Sequence, residues 1–392
     1  MTERSVILGA ARTPIGAFLG GLAPVKAPEL GAIAIRCAVE RSGVSRDAID
    51  EVFMGSVVQA GVGQAPARQA ALGAGLPQRV PCTTINKVCG SGLKAVMLAT
   101  AQIAAGEAGV IVAGGMESMS NAPYLLRGAR QGLAIGEHMM EDANLTDGLV
   151  DAYGGGHMGL GGEKAAARTH LTREDQDRFA LRSHEKALAA QAGGAFDAEI
   201  VAVEVQGRKG QVTRVERDET PRETSLSALA ALKPAFKEDG TVTAGNASKL
   251  NDGAAALVIA SAARADELGA RPLARVIAQA QFAGEPELFL LAPAGAIARV
   301  LEKAGWATAE VDLFEVNEAF SGIEAVRREL GIAEDRFNVN GGAVALGHPI
   351  GASGARLLVT LVYALRARGK ARGVVSLCLG GGEAVALAIE AE

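Results

Sequence analysis

Asn86-Lys87-Val88-Cys89-Gly90-Ser91-Gly92-Leu93-Lys94-Ala95 sets a cysteine between a strand-like run, Val80 to Ile85, and a helical apolar pattern made by Leu93, Val96, Met97, Ala99, Ala101, Ile103 and Ala104. Gly90 and Gly92 leave almost no side chain beside the sulfur, so a substrate carbonyl can approach it. A turn into a helix N-terminus presents unpaired N–H groups. These favour an anion and predict a thiolate at lower pH than in free cysteine. Taken alone, the stretch fits a buried structural cysteine equally well. Its place in a repeat is what sets it apart.

Ser91-Gly92-Leu93-Lys94 has a counterpart in Ser353-Gly354-Ala355-Arg356, 262 positions later. The same offset relates Glu40-Arg41-Ser42-Gly43 to Glu302-Lys303-Ala304-Gly305, and Ile49-Asp50 to Val311-Asp312. Val112 to Glu117 resembles Leu377 to Glu383 with a small shift. One register held over more than fifty positions indicates duplication of a single α/β unit rather than a short-period solenoid. The elements agree. Strand-like Ser5 to Leu8, helical Leu30 to Arg41, strand-like Asp50 to Gly55, helical Pro66 to Ala74 and strand-like Gly109 to Glu117 alternate as in layered α/β folds.

Ser118 to Lys249 has no counterpart in the repeat and reads as an insertion. It holds a Gly/Met/Arg-rich stretch (Arg127 to Met140), two helical segments (Glu163 to His170 and Thr172 to Ala192) and a strand-like run, Ile200 to Val205. Thr172 followed by Glu174 and Asp175 marks a helix start. The chain then returns to the first half through the apolar strand Asn251 to Ala260. The expected organisation is an N-terminal half from residues 1–118 with 250–271, an inserted loop domain over 119–249, and a C-terminal half over 272–392.

The bulk numbers fit a globular protein of this size: 392 residues, 49% apolar and 21% charged. A net charge of −5 without a long basic run argues against nucleic acid as a partner. Cys37, Cys82, Cys89 and Cys378 form no CxxC pair and the histidines are scattered, so no metal site is expected. Met1-Thr2-Glu3-Arg4 leads straight into a strand rather than a signal peptide, and no apolar run approaches the roughly 20 residues of a membrane span. These features point to a cytoplasmic, reducing setting.

Three more stretches bear chemistry. Gly341 to Gly354 puts His348 in a Gly-rich loop before a helix, and Ser376 to Gly382 puts Cys378 at a strand end before three glycines. Val316-Asn317-Glu318-Ala319-Phe320 puts polar residues just after a strand. Each alone has a structural explanation: a hydrogen-bonded loop histidine, a core cysteine, a helix cap. Together they supply a nucleophile with its base, a second cysteine able to move a proton, and glycine N–H groups able to face an oxyanion.

These stretches resemble the thiolase family over essentially the full length. Val88 to Gly92, Asn317 to Phe320, Gly347 to Gly354 and Cys378 to Gly382 match four family motifs in order. The resemblance implies a thiolase-like fold of two duplicated α/β halves, each with a five-stranded mixed sheet, plus an inserted loop domain. It implies that Cys89 is the acylated nucleophile and that His348 activates it. Cys378 would exchange the α-proton of the second acetyl group. Asn317, through a water, would act with His348 on the enolising thioester, and the N–H groups of Cys89 and Gly380 would hold the oxyanion at the acyl-enzyme. The implied reaction converts two acetyl-CoA to acetoacetyl-CoA and CoA, with no cofactor, in a dimer or tetramer contacting through Arg127 to Met140. A broad-range 3-ketoacyl-CoA thiolase of fatty-acid breakdown shares the same residues. Ser248 resembles a contact to the pantetheine arm, Phe236 and Phe320 tunnel walls, Arg222 a contact near the nucleotide, and His157-Met158 a pair that narrows the acyl pocket. The chain departs from the family at Lys249, where glycine is common, at Leu160-Gly161-Gly162, and at Glu383-Ala384.

Overall fold

The computed structural model describes residues 5–154, 156–207 and 210–392. In the N-terminal half the strands are β1 (Ser5–Arg12), β2 (Glu51–Gly55), β3 (Cys82–Ile85), β4 (Val110–Ser118) and β5 (Asn251–Ser261). They lie in the order β3-β2-β4-β5-β1, with β2 parallel to both β3 and β4, and β5 antiparallel to both its neighbours. In the C-terminal half, β6 (Ala274–Ala283), β7 (Leu313–Val316), β8 (Arg372–Leu379) and β9 (Glu383–Ala391) follow the order β7-β8-β9-β6. The two sets join into one sheet path where Val6 and Ile7 of β1 pair with Arg275 and Ala274 of β6.

The duplication survives atom by atom. Glu51 of β2 faces Ile111 of β4, and 262 residues on Leu313 of β7 faces Gly373 of β8. Asp50 accepts from the N–H groups of Gly109 and Val110, both at 2.8 Å. Asp312 does the same for Ala371 and Arg372 at 3.0 and 2.9 Å. Helices α1 (Ala27–Ser42) and α6 (Ala292–Ala304) each stop at a left-handed glycine, Gly43 at φ 69° and Gly305 at φ 68°, a conformation glycine adopts without steric cost.

Helices α3 (Ser91–Ala104) and α7 (Ser353–Ala367) meet at the centre through their glycine-bearing starts. A Cβ on Gly92 would lie 2.8 Å from the Ala355 nitrogen, and one on Gly354 would lie 2.5 Å from that of Leu93. Only glycine permits this approach. Both helices pack on the inner faces of the strands, through Ile111 and Ala113 of β4 and Leu377 of β8. The alternate residues Val110 and Val112 face α1 and α2 (Pro66–Gly73) instead, while Val374 and Cys378 face α6. The sheet is therefore covered on both faces, which accounts for strands that read as unbroken apolar runs.

The C-terminal half departs from the expected five strands. Its fifth position is a single bridge between Phe314 and Phe337. The next residue, Asn338, turns away at φ 44°, and its side-chain amide takes over the ladder by accepting from Val316 N and donating to Val316 O, each at 2.8 Å. A side chain has replaced one strand's worth of backbone pairing there.

Between Ser118 and Asn251 the chain forms α4 (Met158–Arg168) and α5 (Arg173–Ala192), the latter started by a reciprocal cap between Thr172 and Asp175. The segment is anchored to β1 by the fully buried Arg12, which donates to Glu199 at 2.6 Å and to both oxygens of Asp218 at 2.7 and 2.9 Å. Among the described residues no helix is long and apolar enough to cross a membrane.

Candidate active site

Cys89 lies one residue before the N-cap of α3, behind Val88, which is held at φ 46°. A β-branched residue rarely takes that conformation, so the surroundings impose it. Ser91 fixes the turn: its hydroxyl accepts from Lys87 N at 2.9 Å and donates to Val88 O at 2.6 Å. The turn is seated on the β8–β9 hairpin, where a Cβ on Gly90 would lie 2.2 Å from the Leu379 side chain. Lys87 and Glu383 close the contact with an ion pair at 2.5 Å.

The equivalent turn at the start of α7 carries His348. Ser353, the counterpart of Ser91, lies 2.5 Å from His348 Nδ1 and donates to Pro349 O at 2.9 Å. With its own proton committed to that carbonyl, the Ser353 oxygen accepts from Nδ1–H, and this assigns the tautomer that leaves Nε2 free as a base. Nε2 faces Asn317 Nδ2 at 3.4 Å. Asn251 accepts from His348 N at 2.9 Å and donates to Gly16 O at 2.7 Å. Glu117 clamps the loop to the other half by accepting from Gly351 N at 3.0 Å and Val57 N at 2.9 Å.

Cys89, His348 and Gly380 line one cavity of about 570 Å³. Ser248, His157, Met158, Phe236 and Phe320 line it too. The wall is built by stacking. His157 lies on Phe236 at 4.5 Å, and Phe236 and Phe289 each meet Phe320 edge-on at 6.2 and 6.3 Å. Glycines on α4 make room: a Cβ on Gly159 would lie 2.3 Å from Phe236, and one on Gly161 would lie 2.6 Å from Phe289. That packing explains why α4 carries glycines at the departure Leu160-Gly161-Gly162. Cys378 is fully buried behind the wall, close enough for a charge on Cys89 to raise its pKa. Asn317 is buried and its Oδ1 makes no hydrogen bond. Arg222 is not among the lining residues; it is exposed, and its backbone N–H donates to His184 Nδ1 at 3.3 Å.

The expected low-pH thiolate is not found. Burial pushes the Cys89 thiol up to about 12, even though the N–H groups of Cys89 and Gly380 favour its anion. Desolvation outweighs the helix start because the sulfur sits in an apolar wall. Burial, with a smaller push from Arg356, takes His348 down to about 3. Burial and then Cys89 raise Cys378 well above a free thiol. The resting site is therefore two thiols and a neutral imidazole, and its ions appear only as substrate reacts.

Sequence reasoning missed Asn251, Glu117 and the part played by Ser353. The last left a signal, since Ser353 stands at the repeat position of Ser91. Asn251 and Glu117 lie inside apolar strands, and only the folded contacts reveal their partners.

Residues 5–263 match the family described as thiolase, N-terminal domain, and residues 270–391 match thiolase, C-terminal domain. The chain belongs to the thiolase family. It is 52% identical over 386 residues to the acetyl-CoA acetyltransferase of Pseudomonas aeruginosa, covering 98% of both chains. It is 51% identical over 387 residues to that of Cupriavidus necator, again covering 98% of both. Among solved structures, the acetyl-CoA acetyltransferase of Bacillus anthracis superimposes with a TM-score of 0.97 at 43% identity, covering 100% of this chain and 99% of that one.

Proposed function

We propose that the chain is an acetyl-CoA acetyltransferase, which condenses two acetyl-CoA to acetoacetyl-CoA and CoA, reversibly, through acetyl-Cys89. The observation that carries this reading is the convergence of Cys89, the free Nε2 face of His348 and Gly380 on one cavity, in a chain that matches acetyl-CoA acetyltransferases over nearly its whole length. In the first half-reaction His348 Nε2 takes the Cys89 proton as the sulfur attacks the thioester carbonyl. The N–H groups of Cys89 and Gly380 receive the oxyanion. Cys378 protonates the departing CoA sulfur, which leaves a thiolate at Cys378 and an imidazolium at His348. With Cys89 acylated, no thiolate can form there to oppose the ionisation of Cys378. That thiolate then takes the α-proton of the second acetyl-CoA, while His348, with Asn317 through a water, holds the enolate oxygen. Attack on acetyl-Cys89 releases its sulfur, which recovers the proton from His348, so every proton is accounted for. Coenzyme A thioesters are substrates in this scheme, and no cofactor is assigned.

The same reading assigns residues 1–118 with 250–271 and residues 272–392 to the catalytic halves, and 119–249 to the loop domain. It assigns a cytoplasmic homo-oligomer, supported by four free cysteines and by the exposed side chains of Leu133, Ile135, Met139 and Met140. His157 and Met158 are assigned as the limit on acyl length, supported by the His157–Phe236 stack. The test compares kcat/KM for thiolysis of acetoacetyl-CoA and 3-ketohexadecanoyl-CoA. A strong preference for acetoacetyl-CoA is expected. Comparable rates would transfer the assignment to a broad-range 3-ketoacyl-CoA thiolase. In Cys89→Ala, mass spectrometry should find no acetyl-enzyme and thiolysis should vanish; retained activity would overturn the mechanism.

A further inference from the structure

Lys249 places a cation in an otherwise strongly apolar wall. It follows Ser248 in the chain, lines the same cavity, and is only partly exposed. Its Nζ donates a single long hydrogen bond, 3.4 Å to Val344 O, which leaves donors of the ammonium uncommitted. Among the described residues, the one charged group that acts on it is another cation, Arg222. Burial, then Arg222, lowers Lys249 to about 8. Burial, then Lys249 and Arg222, takes the imidazole of His184 down to about 4. His184 Nδ1 accepts from Arg222 N at 3.3 Å, and its buried Nε2 has no partner. Gathering positive groups beside a low-dielectric cavity is unfavourable unless an anion joins them.

We infer that Lys249, supported by Arg222, is a specificity-determining contact for the diphosphate of the coenzyme A substrate. Position selects that anion. The cavity that Lys249 lines holds Cys89 at the thioester end. Coenzyme A carries its negative charge only on phosphates, and the diphosphate, bonded directly to pantetheine, is the first of them met on leaving the thioester. A lysine serves as a point charge for phosphate and needs no fixed approach direction.

The inference rests on the proposed function, and the test separates the two. Thiolysis is measured on acetoacetyl-CoA, on its dephospho-CoA analogue, which keeps the diphosphate but lacks the 3′-phosphate, and on acetoacetyl-pantetheine, which lacks every phosphate. Lys249→Gln should raise KM about tenfold for the first two esters, with the pantetheine ester moving less than about twofold. Lys249→Arg should restore most of the loss. The wild-type advantage of the CoA ester over the pantetheine ester should shrink with added salt more steeply than in Lys249→Gln. An equal rise for all three esters, or no rise, overturns the inference. A rise confined to the full CoA ester assigns the contact to the 3′-phosphate and overturns the diphosphate assignment. If the wild-type protein thiolyses none of them, the functional reading fails instead. Calorimetry of free CoA against pantetheine, with wild type and Lys249→Gln, then still reads the phosphate contact by itself.

Discussion

At His348, Ser353 accepts from Nδ1–H and donates its own hydroxyl hydrogen bond to Pro349 O, so the hydroxyl fixes the orientation and tautomer of the proposed base without touching substrate. Ser353→Ala should therefore lower kcat by between about 10- and 100-fold with KM nearly unchanged. Equal losses in both constants would point to a collapsed pocket instead. The depressed pKa of His348 gives a second expectation. A histidine titrating normally would lose roughly tenfold activity between pH 7 and 5.5, whereas one held near 3 stays neutral across that range. The thiolysis kcat/KM should change less than about twofold over the interval. The same shift acts on stability. The unfolded chain takes up this proton below about pH 6.5 and the folded chain does not, so the contribution is complete above 6.5. It is lost at about 1.4 kcal/mol per pH unit as pH falls toward 3. Urea midpoints from pH 7 to 4 read this, and a wild-type curve with no steeper acid limb than that of His348→Asn would refute it.

Among the elements, the strained turn before α3 and the β8–β9 hairpin each contribute an N–H to Cys89, so their spacing sets the distance between the two donors of the proposed oxyanion site. The Lys87–Glu383 pair is the charged tie between them, and Glu383 is one of the chain's departures from its family. Glu383→Gln should lower kcat by about threefold, the modest effect of a partly exposed pair. The exchanged pair Lys87→Glu with Glu383→Lys should regain most of it; additive losses would show that the two residues act separately. The sequence made these turns visible because a cysteine followed by Gly90 and Gly92 falls in register with a glycine-rich histidine loop. It did not disclose the shortened fifth strand. An asparagine amide there mimics backbone pairing, and no hydropathy pattern distinguishes that from a loop. Nor did it disclose the pKa of Cys89. Local sequence announces the helix start, but the apolar surroundings that dominate the sulfur come from distant segments, among them Met119 and Ile350.

For the molecule as a whole, Arg12 joins β1 to the segment between Ser118 and Asn251 through two carboxylates with no access to water. Asp218→Ala should cost about 3–5 kcal/mol of stability, because it leaves a buried charge under-compensated. Chemical denaturation measures this, and a loss below about 1 kcal/mol would show that Glu199 alone suffices. The paired serines carry the longest consequence. Ser91 and Ser353 brace the same turn in the two repeats, yet one turn offers a sulfur and the other a nitrogen base. Descendants of a single ancestral loop have divided one labour between them. A half assembled with its own twin would bring together two acceptors of acyl groups or two acceptors of protons, and neither pairing turns over. One covalent chain carries both turns, so every sulfur-bearing turn is supplied with a histidine-bearing one in equal number.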